Sequence, residues 1–170
     1  MTFPVTVAQC PIYYNYFNTG RPRSDDTKRV PFCSGYIDGP NKPLYPFGFG
    51  LSYAKFEYSN FSLSANKFTA GESIKASVLV KNAGNIEAKE VVQLYIRDEF
   101  GSIVRPVKEL KGFKKILLKP GEEREVSFEI DEKMLSFYGA DLKYGAEKGT
   151  FIAFIGSSSE VDNGIRFELI

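Results

Sequence analysis

Histidine, the side chain on which much enzyme chemistry depends, is absent from all 170 positions of this chain. Its absence excludes Ser-His-Asp and Cys-His nucleophilic sites, HExxH metalloprotease helices and histidine-ligated zinc. The two cysteines, Cys10 and Cys33, are too few for a four-thiolate metal site, and their spacing matches no CxxC redox motif. We interpret them as unreactive thiols, with a disulfide between them left open if the protein is exported. We therefore expect no metal and no cofactor.

Carboxylates are the remaining candidates for catalysis, and they occur as two adjacent pairs, Asp25-Asp26 and Glu122-Glu123. A glycosidase holds two carboxylates about 5 to 9 Å apart across a sugar. Neighbours in sequence do not meet this condition by themselves, because adjacent side chains on a strand face opposite ways. Both pairs lie in polar, turn-like surroundings, so we interpret them as solvated charge and assign no catalytic residue.

Gly48-Phe49-Gly50 contains the glycine spacing of a phosphate-binding loop, but neither GxGxxG nor GxxxxGK[ST] follows it. No strand-turn-helix pattern surrounds it either. We predict a tight glycine turn at this point, because glycine tolerates a positive φ.

Two groups of side chains are candidates for contact with another domain or with a sugar. The aromatic group is Tyr13, Tyr14, Tyr16 and Phe17. The charged group, around a predicted loop at Glu99 to Val104, is Arg97, Asp98, Arg105, Lys108, Glu109 and Lys111. Aromatic rings suit the apolar faces of a pyranose, but packing against another domain is the favoured interpretation here. For the charged group, a contact surface and a solvated loop rim carry equal weight.

Overall charge and hydropathy restrict the partners. The chain has 22 Lys plus Arg against 21 Asp plus Glu, and a net charge of +1 gives no reason to expect nucleic acid. Its apolar runs are far shorter than the roughly 18 residues that cross a bilayer, so we expect no membrane partner. The apolar start, Met1 to Val5, lacks the features of a signal peptide and suggests a segment cut from a longer protein.

The first part of the chain differs from the rest in amino-acid composition. Seven of the nine prolines lie in residues 1–50, which predicts extended and irregular backbone there. This arm is also rich in aromatic residues, unlike a disordered linker, so we expect it to pack against something.

From Phe56 onward the pattern is that of an all-β sandwich. In Glu125 to Ile130 the residues Val126, Phe128 and Ile130 alternate with polar ones, the period of two that buries one face. Other strands are predicted at 57–63, 74–80, 92–96, 111–118, 150–155 and 165–169, and turns at 70–72, 82–85, 119–122 and 162–164. Asp131 is predicted to cap a short helical turn. About seven strands is an immunoglobulin-like count, and the lack of Trp favours a fibronectin-III-like sandwich over an antibody-type domain.

Three motifs in this order resemble the C-terminal portion of glycoside hydrolase family 3. They are Tyr45-Pro46-Phe47-Gly48-Phe49-Gly50-Leu51-Ser52-Tyr53, Val91-Val92-Gln93-Leu94-Tyr95-Ile96-Arg97-Asp98 and Arg105-Pro106-Val107-Lys108-Glu109-Leu110-Lys111-Gly112-Phe113. The similarity extends back through Gln9-Cys10-Pro11-Ile12-Tyr13-Tyr14-Asn15 and forward through Lys119-Pro120-Gly121-Glu122 and Leu135-Ser136-Phe137-Tyr138. It covers essentially the whole chain.

The resemblance implies a parent enzyme that is a retaining β-glycosidase of the β-glucosidase or β-xylosidase type. Its catalytic carboxylates would belong to a barrel domain and an α/β domain outside this chain, so the chain alone would be inactive. Residues 1–55 would then be the end of the α/β domain and a linker arm, and residues 56–170 a fibronectin type III-like domain. That domain would buttress the catalytic domains, its expected partners, and help to shape the active-site entrance.

Two other functions are kept open. The sandwich could be an independent carbohydrate-binding or adhesion module that takes an oligosaccharide with the arm as part of its binding face. Alternatively, the exposed aromatic residues of the arm could hold two copies together as a homodimer.

Overall fold

A computed structural model describes residues 2–9, 12–17, 32–36 and 39–170, and within these ranges the chain is nearly all β, as predicted. The strands are β1 (Phe56–Leu63), β2 (Lys67–Phe68), β3 (Ser73–Asn82), β4 (Ala88–Asp98), β5 (Glu109–Leu118), β6 (Glu123–Asp131), β7 (Phe137–Tyr138), β8 (Tyr144–Gly145), β9 (Gly149–Gly156) and β10 (Gly164–Leu169). The only helix in these ranges, α1, spans Glu132–Leu135, and a 3₁₀ turn spans Val7–Gln9. Cys33 is a free thiol, while Cys10 and Asp25-Asp26 lie outside the described residues.

Two sheets form the sandwich. One has three strands in the order β1-β3-β6, and the other has five in the order β2-β10-β9-β4-β5. All pairs are antiparallel except the short parallel pair of β2 with β10. The predicted seven strands are the seven long ones, and the two-residue strands β2, β7 and β8 add to them. The β7–β8 pair forms a separate two-stranded hairpin between β6 and β9 in the chain.

The core lies between the sheets and is built by the predicted alternation. Along β6, Val126, Phe128 and Ile130 are buried, and the pairing places Phe128 opposite Ala76 and Ile130 opposite Ile74 on β3. Apolar side chains therefore pair with apolar side chains across the two strands, and such cross-strand pairs stabilise a sheet. This result confirms the predicted facing of both strands.

The predicted turns at 70–72 and 119–122 and the predicted cap are confirmed, whereas the turn predicted at 162–164 is wrong, because the chain turns at 159–160 and Gly164 already begins β10. Gly71 and Gly121 have φ values of +88° and +75°, which glycine adopts without steric cost. Asp131 is the N-cap of α1, and its carboxylate accepts the N–H of Met134 at 2.9 Å. No helix among the described residues is long and apolar enough to span a bilayer.

Strand β4 departs from simple alternation. Val92, Leu94 and Ile96 face the core as predicted, but Gln93 and Tyr95 on the opposite face are just as deeply buried. A face that should meet water is therefore covered by something outside the sheet. What covers it is the N-terminal arm.

The facing of β6 makes a stability prediction. Phe128→Ala removes a large side chain from a packed core, so the free energy of unfolding should fall by about 3 to 5 kcal/mol in a denaturant titration. Glu129→Ala on the exposed face of the same strand should change it by less than about 0.5 kcal/mol. A larger effect at Glu129 than at Phe128 would mean that the facing is reversed.

Candidate functional site

The arm reaches the outer face of β4 through one aromatic side chain. The ring of Tyr14 stacks on Phe47 with the ring centres 4.2 Å apart, and it meets Tyr95 edge-on at 6.1 Å. The N–H of Leu110 on β5 points at the Tyr14 hydroxyl oxygen, 3.4 Å away. Two separate parts of the arm, one at Tyr14 and one at Phe47, are thus packed on the sandwich itself.

The next arm residues continue along the loop that precedes β5. Val107 donates its N–H to the Tyr16 carbonyl oxygen at 2.9 Å, and Phe17 forms a single antiparallel bridge with Pro106. The rings of Tyr13, Tyr16 and Phe17 nevertheless remain more than half exposed. The predicted aromatic group therefore divides into one ring packed on this chain and three rings that face outward.

Gln93 holds this arrangement together from within β4. Its amide nitrogen donates to the carbonyl oxygens of Gly48, at 3.3 Å, and of Ser157, and its amide oxygen accepts from the Tyr95 hydroxyl at 2.6 Å. We call these four residues the Gln93 latch. A buried amide whose donors and acceptor are all engaged ties the arm, β4 and the loop after β9 to one another.

Sequence reasoning missed Gln93 as a functional residue. The signal that could have found it is that the outward positions of β4, Val91, Gln93 and Tyr95, carry no charge, unlike those of a strand face that meets water. This run indicates that the face is covered, but not by which segment.

Gly48 makes the close approach to Gln93 possible. The Phe49 N–H donates to the Pro46 carbonyl oxygen at 3.1 Å and Gly48 has a φ of +80°, which is the geometry of a type II turn. A Cβ at Gly48 would lie 2.8 Å from the Gln93 amide nitrogen and closer still to the amide oxygen. The predicted glycine turn is confirmed, and its purpose is contact with the latch.

The charged group is more buried than a loop rim. The Arg105 side chain is 12% exposed and that of Asp98 6%, with Arg105 Nε 3.4 Å from Asp98 Oδ2. Arg105 Nη2 also lies 2.8 Å from Glu109 Oε2, and its guanidinium covers the Phe137 ring at 3.9 Å. Burial raises the pKa of Asp98, and the Arg105 charge counteracts this increase. The cluster fixes both ends of the 99–104 loop and the start of β7.

Lys108 fastens the loop after β9 in the same way. Its ammonium donates to the carbonyl oxygens of Ser159, at 3.1 Å, and Val161, and lies 4.4 Å from the centre of the Phe154 ring. Burial is the main cause that lowers the pKa of Lys108, and the Arg97 charge lowers it further. Of the other predicted residues, Lys111 pairs with Glu109 at 3.5 Å, and Arg97 lies half-buried on β4.

A second buried amide organises the beginning of the arm. Gln9 is fully buried. Its side-chain amide accepts the Val5 N–H and donates to the Lys42 carbonyl oxygen at 3.2 Å. Its backbone carbonyl oxygen accepts the Tyr36 hydroxyl at 2.7 Å. Nearby, Phe3 pairs with Tyr45 through a backbone hydrogen bond of 2.9 Å. The 2–9 and 39–45 segments therefore form one unit.

This unit presents a row of aromatic rings to the outside. Phe3 and Tyr45 meet edge-on at 6.3 Å, and Tyr45 stacks on Phe49 at 5.0 Å. Each ring is about half exposed, and Leu51 and Tyr53 just beyond them are almost completely exposed. We call Phe3, Tyr45 and Phe49 the aromatic row. Contiguous exposed apolar surface held in place by a buried amide is typical of a contact surface.

A family model described as a fibronectin type III-like domain matches residues 90–159. A periplasmic β-glucosidase of Salmonella typhimurium is 47% identical over 171 residues, covering 100% of this chain and 22% of that protein. A putative β-xylosidase of Formosa agariphila is 44% identical over 169 residues, covering 99% of this chain and 21% of its own length.

A solved structure agrees with both. The β-glucosidase of Listeria innocua in complex with isofagomine superposes with a TM-score of 0.92 at 44% identity, covering 99% of this chain and 24% of that one. The chain thus spans less than a quarter of the length of each of these three relatives.

The close approach at Gly48 makes a second prediction. Gly48→Ala should lower the free energy of unfolding by about 3 kcal/mol, because the strain of a positive φ adds to the displacement of a buried amide. Gly71→Ala is the matched control, since Gly71 has a φ of +88° but open space around it. It should cost only about 1 to 2 kcal/mol in the same denaturant titration. Equal costs would show that the Gln93 latch does not constrain Gly48.

Arg105 allows a prediction with a defined pH dependence. Arg105→Met should cost about 3 kcal/mol near pH 7, because the buried Asp98 carboxylate loses its cation. The folded-state pKa of Asp98 should rise further above its unfolded value of 3.8. Stability is then lost as the pH rises through that window, so acidification to about pH 4 should reduce the cost of the variant relative to the native chain.

The control for this pH dependence is the double variant Asp98→Asn with Arg105→Met. It carries no buried carboxyl at position 98, so the difference in denaturation midpoint between it and the native chain should vary less with pH. If the single variant were equally destabilised at pH 4 and pH 7, Asp98 would not be the group responsible.

Proposed function

Since the chain corresponds to the C-terminal, fibronectin type III-like part of the glycoside hydrolase family 3 enzymes, we propose that it is the non-catalytic scaffold of a retaining β-glycosidase. The parent enzyme would hydrolyse O-glycosyl bonds, as the names of its β-glucosidase and β-xylosidase relatives suggest. The observation that carries the proposal is the Gln93 latch, which attaches the arm to the sandwich while the aromatic row stays exposed.

The proposed domain division is residues 1–55 for the end of the preceding domain and the arm, and residues 56–170 for the sandwich. The start of β1 at Phe56 supports this boundary. Because the Gln93 latch joins Gly48 in the arm to Gln93 in the sandwich, a displacement of the arm would act directly on the sandwich. The two parts would thus act mechanically as one body, which is what a scaffold requires.

The placement of Glu122 and Glu123 supports a non-catalytic role for this pair. A retaining glycosidase needs two carboxyl groups about 5 to 5.5 Å apart that face one sugar carbon. Glu122 accepts the Lys119 N–H and pairs with Arg124 in a turn, while Glu123 pairs with Lys81 at 2.8 Å on the neighbouring strand. Adjacent in sequence, the two glutamates serve different partners, as expected for solvated charge.

The aromatic row supports docking on the remaining domains of the parent. Its rings are held in place by backbone pairing and by the Gln9 amide, so little conformational entropy would be lost on binding.

The loop at 99–104 is fixed by Arg105 yet exposes Phe100 and Val104. We assign to this loop the proposed contribution to the active-site entrance.

The alternative of a carbohydrate-binding module with Tyr13 and Tyr14 as its platform is less well supported. One face of the Tyr14 ring is covered by Phe47, 4.2 Å away, and its edge by Tyr95. A sugar would have to displace Phe47 in order to stack there. Of the predicted aromatic group, only Tyr13, Tyr16 and Phe17 would remain accessible to a sugar.

Activity measurements test the proposal. The 170-residue chain should not hydrolyse aryl β-glucosides or β-xylosides, whereas the full-length parent should hydrolyse at least one of them. Hydrolysis by the isolated chain would contradict the non-catalytic role.

Docking is tested by the same substitution in two contexts. Phe49→Ala should lower the melting temperature of the full-length parent by several degrees, because about 1 to 2 kcal/mol of interdomain contact is lost. In the isolated chain the half-exposed ring should matter little. Phe113→Ala on β5, 67% exposed and outside the aromatic row, is the control and should leave both proteins unchanged. An equal effect of Phe49→Ala in both contexts would reject docking through the row.

A further inference from the structure

Two tyrosines of the β7–β8 hairpin face outward as a pair. Tyr138 and Tyr144 lie opposite each other across the two strands, with ring centres 5.1 Å apart and planes inclined by 56°. Both are more than 60% exposed. The hairpin hides Phe137 beneath Arg105 instead, so the fold fixes which rings are buried and which remain open. Two adjacent exposed rings on a fixed hairpin form a platform that nothing in the described chain covers.

An open surface cavity of about 350 Å³ adjoins this platform on the Tyr144 side. It lies between the 99–104 loop and the hairpin, with Ser102 on one side and residues 139–147, including Tyr144, on the other. Three oxygen atoms converge on it at Gly139. A Cβ built there would lie 3.3 Å from Asp141 Oδ1, 3.3 Å from Glu147 Oε1 and 3.5 Å from Ser102 Oγ. The absence of a side chain at Gly139 leaves these oxygens accessible from the cavity.

The cavity is held in shape before any ligand arrives. Glu147 accepts the Ser102 N–H at 2.8 Å and the Ser102 hydroxyl with its second oxygen, which ties the loop to the end of the hairpin. Asp98 accepts the Phe100 N–H at 3.3 Å, which fixes the loop at its other end. Since these contacts already exist, binding would require little further ordering of the chain.

The chemistry of the lining defines the ligand class. Carboxylate and hydroxyl oxygens accept hydrogen bonds, so they suit a ligand rich in hydroxyl groups and repel an anion such as phosphate. Lys143 lies 3.4 Å from Asp141 and offsets one of the two carboxylates of the lining, so that Glu147 alone is left to disfavour an anion. The tyrosine rings next to the oxygens suit a flat apolar face. A pyranose ring combines such a C–H face with a rim of hydroxyl groups.

We propose that this cavity, with the Tyr138–Tyr144 platform, is a binding site for a short neutral oligosaccharide of pyranose units. Its volume lies at the small end of the range of ligand pockets, which suits one end of a chain rather than a long stretch. The site goes beyond the scaffold role, because it needs neither the catalytic domains nor the aromatic row. In a parent glycosidase it would retain a glycan chain near the enzyme and raise its effective concentration.

The experiment is a titration of the isotopically labelled 170-residue chain with cellotriose and, separately, with xylotriose, followed by amide chemical shifts. We expect saturable shifts at Ser102 and at residues 138–147 with at least one trisaccharide. Inorganic phosphate at the same concentration should produce no saturable shift there. Absence of saturable shifts with both trisaccharides, or shifts confined to Tyr13 and Tyr16 on the arm, would overturn the proposal.

Variants separate the site from the rest of the surface. Tyr144→Ala should weaken trisaccharide binding by about tenfold, as expected for loss of one stacking ring. Tyr53→Ala is the matched control, because Tyr53 is 97% exposed and lies far along the chain from the hairpin. It should bind like the native chain. Equal affinity of both variants would overturn the assignment of the platform, whatever the outcome of the docking test in the parent.

Discussion

The buried amide of Gln93 is the interaction on which the rest of this structure depends. A sandwich needs only one dry face per sheet, and the outer face of β4 would ordinarily meet water. Gln93 allows other segments to pack on that face. Its amide nitrogen donates to two backbone carbonyl oxygens, and its amide oxygen accepts from the Tyr95 hydroxyl. Without the arm, the amide would lose the hydrogen bond to the Gly48 carbonyl oxygen, and Tyr95 would lose the Tyr14 ring that lies against it. The sandwich and the arm therefore require each other.

This mutual requirement explains why the arm is irregular yet ordered where it is described. Its backbone makes few ladder hydrogen bonds, so its order comes from point contacts: the Tyr14 ring, the Gly48 turn and the Gln9 amide. Each such contact replaces solvation that the isolated segment would have had in water. Prolines reduce the number of conformations from which the arm must fold, which lowers the entropic cost of holding it by so few contacts.

Much of the sandwich was predictable because its information is local. Alternation in β3 and β6, glycines at the turns and the Asp131 cap all depend on residues a few positions apart, and the structure confirms them. The burial of Gln93 and Tyr95 was not predictable in this way. It depends on Tyr14 and Gly48, which lie some 45 to 80 positions earlier in the chain. No periodicity within β4 records what will lie above it.

The burial of the charged group was not predictable from the sequence for a related reason. Asp98 and Arg105 flank a loop, and a loop rich in charge normally faces water. Their burial depends on Phe137, which a later hairpin brings beneath the guanidinium at 3.9 Å. That contact turns Phe137 inward, so Tyr138, the next residue on β7, points outward together with its cross-strand partner Tyr144, since successive side chains on a strand alternate. One buried cation thus decides both the shape of the 99–104 loop and the exposure of the tyrosine pair. Because a buried charge fixes the hairpin, the surface formed by its two tyrosines has a geometry that does not depend on a ligand.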